Sequence, residues 1–224
     1  MIDTLHTEPD LGKRKRGIRN TVALLLVLVA VAMGLIVYKV TKPRILTAVE
    51  LRNYDAIVFE KPRQFSDITL TDHNGNDFTR AQLQGKWSLI FFGFTHCPDI
   101  CPMTLLELNR LLPDLPEDIR KNTQVILVTL DPARDTPQVL KEYVAAFNPN
   151  FIGVTGEFLA IRRFANEVNV AFAKVTQGED YTVDHSGNLV LINPRGDYHG
   201  FFKPPFDTEK LQITYPSIYR SFEF

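Results

Sequence analysis

The stretch Trp87–Met103, WSLIFFGFTHCPDICPM, contains both cysteines of the chain, Cys97 and Cys101. Its first eight residues form a continuous apolar run, as in strands that are buried on both faces of a sheet. Pro102 suits the first turn of a helix, and apolar residues recur behind it at helical spacing. The stretch therefore predicts a buried strand, a loop that carries two thiols, and then a helix.

The same alternation of strand and helix continues towards the C-terminus. Gln124–Leu130, QVILVTL, is a second apolar run, and Thr136 with Pro137 supplies an N-cap and a first helical residue for the next helix. FIGVTG and EFLAIRRFANEV, residues 151–168, predict another strand and helix. Repeated β–α units of this kind indicate an α/β domain whose central sheet is partly parallel.

Turn and cap signals predict the remaining elements. Asn74-Gly75 is a hairpin turn signal, and Thr79 with Gln82 resembles a capping box for a short helix. The stretch around residues 181–202 predicts two strands joined by a turn at Asn193–Gly196, and a final helix is expected from Asp207.

An uncharged stretch of 18 residues, Thr21–Tyr38, lies near the N-terminus. As a helix it would span roughly 27 Å, close to the thickness of a bilayer core. A buried core helix and a cleaved signal peptide are the alternatives, but the stretch has no polar face and no small-residue cleavage site precedes Lys39. The basic cluster at residues 13–19 predicts a cytoplasmic N-terminus. We expect a cytoplasmic tail (1–20), a transmembrane anchor (21–40), a connector (41–61) and a periplasmic domain (62–224) on a bacterial inner membrane.

Charge is distributed unevenly along the chain. The formal net charge is −1, residues 1–40 carry +3, and the remainder carries −4. Because nucleic-acid binding requires a basic face, the mildly acidic body argues against a nucleic-acid partner.

The spacing of the two cysteines permits three interpretations. A helix N-terminus lowers the pKa of nearby thiols and favours the thiolate form. If Cys97 and Cys101 are four helical steps apart, their Cα atoms are about 6 Å apart, which allows either a disulfide or a shared metal ion. The remaining interpretation is that both are small buried side chains, as free cysteines often are.

Two thiolates form an incomplete metal site, so a third ligand is expected. The candidates are the five histidines: His6, His73, His96, His185 and His199. His6 lies on the cytoplasmic side of the predicted anchor, and His96 directly adjoins Cys97. The sequence pattern places His185 in a loop beside a strand, and spacing alone does not select it.

Three motifs together resemble the Sco/SenC family. They are GFTHCPDICP (93–102), TLDPARDTP (129–137) and VDHSGNLVLINPRGDY (183–198), and the resemblance extends over roughly Val58–Phe222. Members of that family are membrane-anchored copper proteins with a thioredoxin fold that take part in cytochrome c oxidase assembly. The resemblance implies one N-terminal transmembrane helix followed by a thioredoxin-like α/β domain. In that domain helices flank a central mixed sheet, and extra hairpins are added to it.

The resemblance also implies a copper site formed by Cys97, Cys101 and His185. Two soft thiolates and an imidazole suit Cu(I), and oxidised copper could recruit a fourth ligand; a closed zinc site would normally need a fourth protein ligand. Asp131 is expected near the site, where it would either hydrogen-bond a ligand residue or contact a docked partner. The alternative is that its side chain only caps the loop after the strand. Arg134 and Asp135 are expected to form a structural turn or a partner surface.

The leading functional prediction is a metallochaperone that delivers copper to the binuclear copper site of cytochrome c oxidase. The alternative is a thiol–disulfide oxidoreductase that uses Cys97 and Cys101 to reduce the cysteines of that site. Thr95, two residues before Cys97, also suggests a peroxiredoxin-like peroxidase. Expected partners are the copper-site subunit of the oxidase, other periplasmic copper chaperones or thioredoxin-like reductases, and membrane lipid.

Overall fold

The structure of the chain is a computed structural model that describes residues 11–41, 44–178 and 180–222. His6 lies outside the described residues. The chain divides into two compact units after Arg44.

The first unit contains one long helix, α1 (Leu11–Thr41). Its segment Gly17–Lys39 has 23 residues with a mean hydropathy of 2.7, and none of its most apolar window is buried. Length and composition therefore allow this helix to cross a membrane, and its exposed apolar side chains are typical of a lipid-facing helix and not of a core helix.

The second unit combines helices with strands. Its strands are β1 (Ala56–Arg63), β2 (Thr69–Asp72), β3 (Asp77–Thr79), β4 (Trp87–Gly93), β5 (Thr123–Thr129), β6 (Ile152–Thr155), β7 (Phe172–Gln177), β8 (Asp180–His185), β9 (Leu189–Ile192) and β10 (Tyr198–Phe202). Its α-helices are α2 (Ala48–Asn53), α3 (Ile100–Asp114), α4 (Glu117–Lys121), α5 (Pro137–Phe147), α6 (Phe158–Glu167) and α7 (Thr208–Ser221). A short 3₁₀ helix spans Arg80–Leu83.

Eight of the strands form one mixed sheet in the order β1-β10-β9-β4-β5-β6-β2-β3. The pairs β4–β5 and β5–β6 are parallel, and the others are antiparallel. β4 is buried along its whole length, as its continuous apolar run predicts. This confirms the predicted α/β architecture with a partly parallel central sheet.

Local signals in the sequence are confirmed at several boundaries. Thr79 and Gln82 form the predicted capping box, and Asn74-Gly75 lies in the turn between β2 and β3. The Thr136 hydroxyl accepts from the Val139 N–H, with Pro137 as the first residue of α5. Asp207 is the N-cap of α7.

Two parts of the fold differ from the sequence-based expectation. The stretch 41–61, expected to be a connector, contains α2 and most of β1, because β1 pairs with β10. The stretch expected to hold two strands holds three, and β8 pairs with β7 in a separate two-stranded hairpin. His185, expected in a loop, is the last residue of β8.

Candidate metal centre

Cys97 and Cys101 lie in the segment that connects β4 to α3 and begins α3. Cys101 is in the first turn of α3 and fully buried, whereas Cys97 is partly buried in the preceding loop. The two cysteines are therefore not four helical steps apart. A helix that began at Cys97 would place Pro102 where an intrahelical N–H is needed, and proline has none. With α3 beginning at Ile100, Pro102 falls in the first turn, where it is tolerated.

The backbone of β4 and its following loop fixes the sulfur positions. The Cys97 N–H donates to the Phe94 carbonyl (3.2 Å). A Cβ atom on Gly93 would lie 2.8 Å from Cys101 Sγ, so only glycine at the end of β4 lets this thiol approach the sheet.

His185 reaches the same place from the end of β8. Its Nε2 is 3.8 Å from Cys101 Sγ. The Gly187 N–H donates to Nδ1 (3.3 Å), which leaves Nε2 as the ring nitrogen that faces the thiols. The rings of Phe91 and Phe94 lie nearly edge-on to the imidazole, with centroids 5.7 and 6.3 Å away.

The three predicted ligand residues are brought together. One donor atom from each of Cys97, Cys101 and His185 lies within 4.8 Å of the others. A metal ion bound at about 2.0–2.3 Å by thiolate and imidazole holds its ligand atoms roughly 3.5–4.5 Å apart, so small shifts would close this set around one ion. Two thiols and an imidazole form a soft donor set that suits Cu(I).

The two thiols differ sharply in acidity. The Cys101 thiol donates to Cys97, and this hydrogen bond, assisted by His185, lowers the pKa of Cys97 to about 4 against the effect of burial. The same bond and the burial of Cys101 raise the pKa of Cys101. The metal-free pair therefore holds one negative charge, centred on Cys97, and a metal ion that binds both sulfurs must displace the Cys101 proton.

Asp131 contacts the hairpin that carries His185. One of its carboxylate oxygens accepts from the Tyr181 hydroxyl (2.8 Å), and the other accepts from Nε of Arg134. The Arg134 guanidinium also lies over the Tyr181 ring, 3.9 Å from its centroid. Asp131 thus connects the loop after β5 to β8.

Asp135, expected in a turn or on a partner surface, is a buried carboxylate. It is 0% exposed and accepts from the hydroxyls of Thr95 (2.5 Å) and Thr129 (2.6 Å). Its negative charge contributes to the raised pKa of Cys101. An acid two residues before a helix-starting proline is also an ordinary loop pattern, so no sequence signal distinguished this residue.

The other described histidines do not belong to this group of ligand atoms. His73 Nδ1 accepts from the Gly153 N–H (2.8 Å). His199 is 8% exposed and packs edge-on against Trp87. His96 has a largely exposed side chain and contacts the Thr95 hydroxyl through Nδ1 (3.0 Å).

Comparison with known families yields one match that covers most of the chain. The SCO1/SenC family matches residues 60–215. A putative copper-binding protein of Stutzerimonas stutzeri is 41% identical over 165 residues, which cover 73% of this chain and 81% of that protein. Mitochondrial SCO1 of Saccharomyces cerevisiae is 41% identical over 143 residues, which cover 62% of this chain and 48% of the yeast protein.

Solved structures are similar over the same part of the chain. Yeast Sco1 with copper bound has a TM-score of 0.65 and 36% identity, covering 72% of this chain and 91% of that one. BsSco, described as a Sco-family cytochrome c oxidase assembly protein with a disulfide switch, has a TM-score of 0.57 and 25% identity, with coverages of 73% and 97%. These similarities confirm the predicted thioredoxin-like fold.

Proposed function

This chain belongs to the SCO1/SenC family, and on that premise we propose that it is a membrane-anchored copper metallochaperone. Cys97, Cys101 and His185 are its copper ligands, and copper is its cargo. It delivers this copper to the binuclear copper site of cytochrome c oxidase during assembly. Its partner is the copper-site subunit of the oxidase, and other periplasmic copper chaperones would supply the metal.

The observation that carries this proposal is the convergence of two thiols and one imidazole within 4.8 Å. These residues come from two separate parts of the chain, the segment between β4 and α3 and the end of β8, and their donor types match the preference of Cu(I) for soft ligands. The copper-bound yeast structure and the copper-binding S. stutzeri relative support the choice of metal.

The proposed location is a bacterial inner membrane, with the N-terminus in the cytoplasm and the copper domain in the periplasm. The single apolar helix Gly17–Lys39 supports a membrane anchor, and the basic residues that precede it support the orientation. Tethering would confine the domain to the surface at which a membrane-embedded oxidase is assembled.

Anaerobic Cu(I) titration of the full chain in detergent micelles tests the proposal. The wild type should bind one ion, and Cys97→Ala, Cys101→Ala and His185→Ala should each weaken binding by at least about tenfold. Losing a residue that only hydrogen-bonds a metal ligand already weakens binding by about tenfold or more, and losing a ligand should cost at least as much. His96→Ala is the matched control, because this exposed histidine adjoins Cys97 and is not a proposed ligand. Unchanged binding in His185→Ala would contradict the proposed site.

A second candidate function is reduction of the oxidase cysteines before copper is inserted. Both cysteines are free thiols, the low pKa of Cys97 suits nucleophilic exchange, and the disulfide switch described for BsSco supports it. In this reaction the Cys97 thiolate attacks a partner disulfide, which breaks that S–S bond and forms a mixed disulfide between Cys97 and the partner. Cys101 then loses its proton and attacks the Cys97 sulfur, so that a Cys97–Cys101 disulfide forms and the second partner sulfur leaves. The partner gains two electrons, and its two thiolates take up the Cys101 proton and one proton from solvent. A thioredoxin-like reductase would restore the dithiol.

His185 separates the two functions experimentally. Exchange with a model disulfide should persist in His185→Ala, whereas copper binding should weaken. A Cys97–Cys101 disulfide too stable for a periplasmic reductant would contradict the redox function and leave the copper function standing.

A further inference from the structure

The hairpin that carries His185 stands apart from the main sheet. β7 and β8 pair with each other over six residue pairs, from Phe172↔His185 to Gln177↔Asp180. Among the residues that the structure describes, neither strand hydrogen-bonds to the eight-stranded sheet. The distance between His185 and the thiols therefore depends on whatever holds this hairpin in place.

Tyr181, the second residue of β8, supplies that hold. Its hydroxyl donates to Asp131 (2.8 Å), and its carbonyl accepts from a terminal nitrogen of Arg134 (3.3 Å). The Arg134 guanidinium lies 3.9 Å from the centroid of its ring, and the Lys174 ammonium group lies 3.4 Å from it. We call Tyr181, Asp131 and Arg134 the clasp.

Asp131, the residue of the clasp that does not lie on the hairpin and accepts from Tyr181, is connected through β5 to the end of β4, where the thiols lie. Asp131 is 5% exposed, and its backbone N–H donates to the Thr129 hydroxyl (2.9 Å) at the end of β5. The Leu130 N–H donates to the Gly93 carbonyl (2.7 Å), beside Cys101. A hydrogen bond to a buried carboxylate is stronger than one between neutral groups, so this contact is suited to fix the hairpin relative to the thiols.

We propose that Tyr181 is a positioning residue, whose hydroxyl and ring hold the β7–β8 hairpin so that His185 Nε2 faces the two thiols. The consequence for copper rests on the proposed function. With the clasp closed, a metal ion meets three ligands, and with it open the ion meets only the two thiols. Tyr181 thus acts on the metal through His185 and not by direct contact.

Tyr181→Phe tests the inference, because it removes the hydroxyl and keeps the aromatic ring. In the metal-free full chain in detergent, amide hydrogen exchange in β7 and β8 should accelerate by about tenfold, with exchange in β4 and β5 unchanged. Tyr54→Phe is the matched control, since Tyr54 is a partly exposed tyrosine at the end of α2. Unchanged exchange in the hairpin of Tyr181→Phe would overturn the inference.

A double-mutant cycle tests the link to His185. Tyr181→Phe should weaken Cu(I) binding by about tenfold when His185 is present, and by no measurable factor in the His185→Ala background. Equal weakening in both backgrounds would overturn the positioning role. If the wild type bound no Cu(I), the proposed function would fail, and the exchange measurement would still decide whether the clasp holds the hairpin.

Discussion

Cys97 and Cys101 share one side-chain type but differ in the environment that the fold gives them. Cys101 is fully buried and donates a hydrogen bond to Cys97, which is only partly buried. Thiolates, not thiols, react as nucleophiles. The fold therefore assigns the reactive role to Cys97 and the proton-holding role to Cys101.

Alkylation of the reduced, metal-free chain by iodoacetamide should label Cys97 and spare Cys101. Because the pKa of Cys97 is about 4, its thiolate is fully formed above about pH 5, and its labelling rate should be flat from pH 5 to 8. An ordinary thiol with a pKa near 8.5 reacts about tenfold faster for each pH unit over most of this range. Peptide mapping by mass spectrometry identifies the labelled residue. Equal labelling of Cys101, or a rate that rises steeply with pH, would contradict this assignment.

Gly93 is a second residue whose identity the site requires. A methyl group there would lie 2.8 Å from Cys101 Sγ and 3.0 Å from the Phe91 ring. Gly93→Ala should therefore displace the thiol, lower the free energy of unfolding by about 1–3 kcal/mol as overpacking does, and weaken Cu(I) binding. Denaturant unfolding of the metal-free chain and Cu(I) titration measure the two effects. A variant with wild-type values for both would show that the thiol moves without cost.

Among the elements, the pairing of β1 with β10 depends on a glycine in β10. A Cβ atom on Gly200 would lie 2.1 Å from the Ile57 carbonyl oxygen, and this backbone atom cannot move without breaking the strand pair. Gly200→Ala should separate β1 from the sheet, at a cost of about 3 kcal/mol or more, the upper range for overpacking. Hydrogen exchange should accelerate in β1 and stay unchanged in β4 and β5. A native exchange pattern in β1 would contradict the predicted clash.

Sequence patterns identified the elements that are either buried or capped. β4 and β5 appear as apolar runs because both faces are covered, and α5 is marked by Thr136 and Pro137. β7 has no such pattern, because its described side chains are exposed or partly exposed and its partner, β8, gives it the strand conformation. β1 contains Pro62 and is only partly buried, so its strand form depends on pairing with a segment about 140 residues away.

The candidate site was predictable only where a family motif marks it. Spacing alone left Cys97 and Cys101 open to several uses, and nothing local distinguished His185 from the other histidines. Its approach to Cys101 depends on the hairpin and on the contact between Tyr181 and Asp131, which are 50 residues apart. Contacts of this kind have no periodicity and no local spacing, so they become visible only in the folded chain.

For the molecule as a whole, one buried histidine couples stability to pH. Burial lowers the pKa of His199 to about 4, and its ring packs against Trp87 (centroids 5.0 Å apart) and Phe222 (5.7 Å). An unfolded histidine has a pKa near 6.5. Between these values only the unfolded state takes up the proton, so the contribution to stability is complete above pH 6.5 and is lost as the pH falls towards 4.

His199→Phe should make the free energy of unfolding less dependent on pH. The lowered pKa of His199 corresponds to at most about 3 kcal/mol between pH 7.5 and 4, and phenylalanine keeps the ring while removing the titration. Denaturant unfolding at pH 7.5, 5.5 and 4.5 measures the difference between variant and wild type. An identical slope in both proteins would show that His199 is protonated without unfolding.

The proposed orientation of the chain in a membrane rests on its asymmetric charge. Five Lys/Arg residues lie between positions 13 and 19, directly before the uncharged stretch Thr21–Tyr38, and such clusters stay on the cytoplasmic side. With epitope tags at both ends, proteinase K added to intact spheroplasts should remove the C-terminal tag and leave the N-terminal tag. A soluble cytoplasmic protein serves as the control for membrane integrity. A C-terminal tag protected until the membrane is lysed would place the copper domain in the cytoplasm.

Replacing the five basic residues with glutamine should reduce the fraction of chains with an accessible C-terminus, because the charge difference across α1 then no longer favours export.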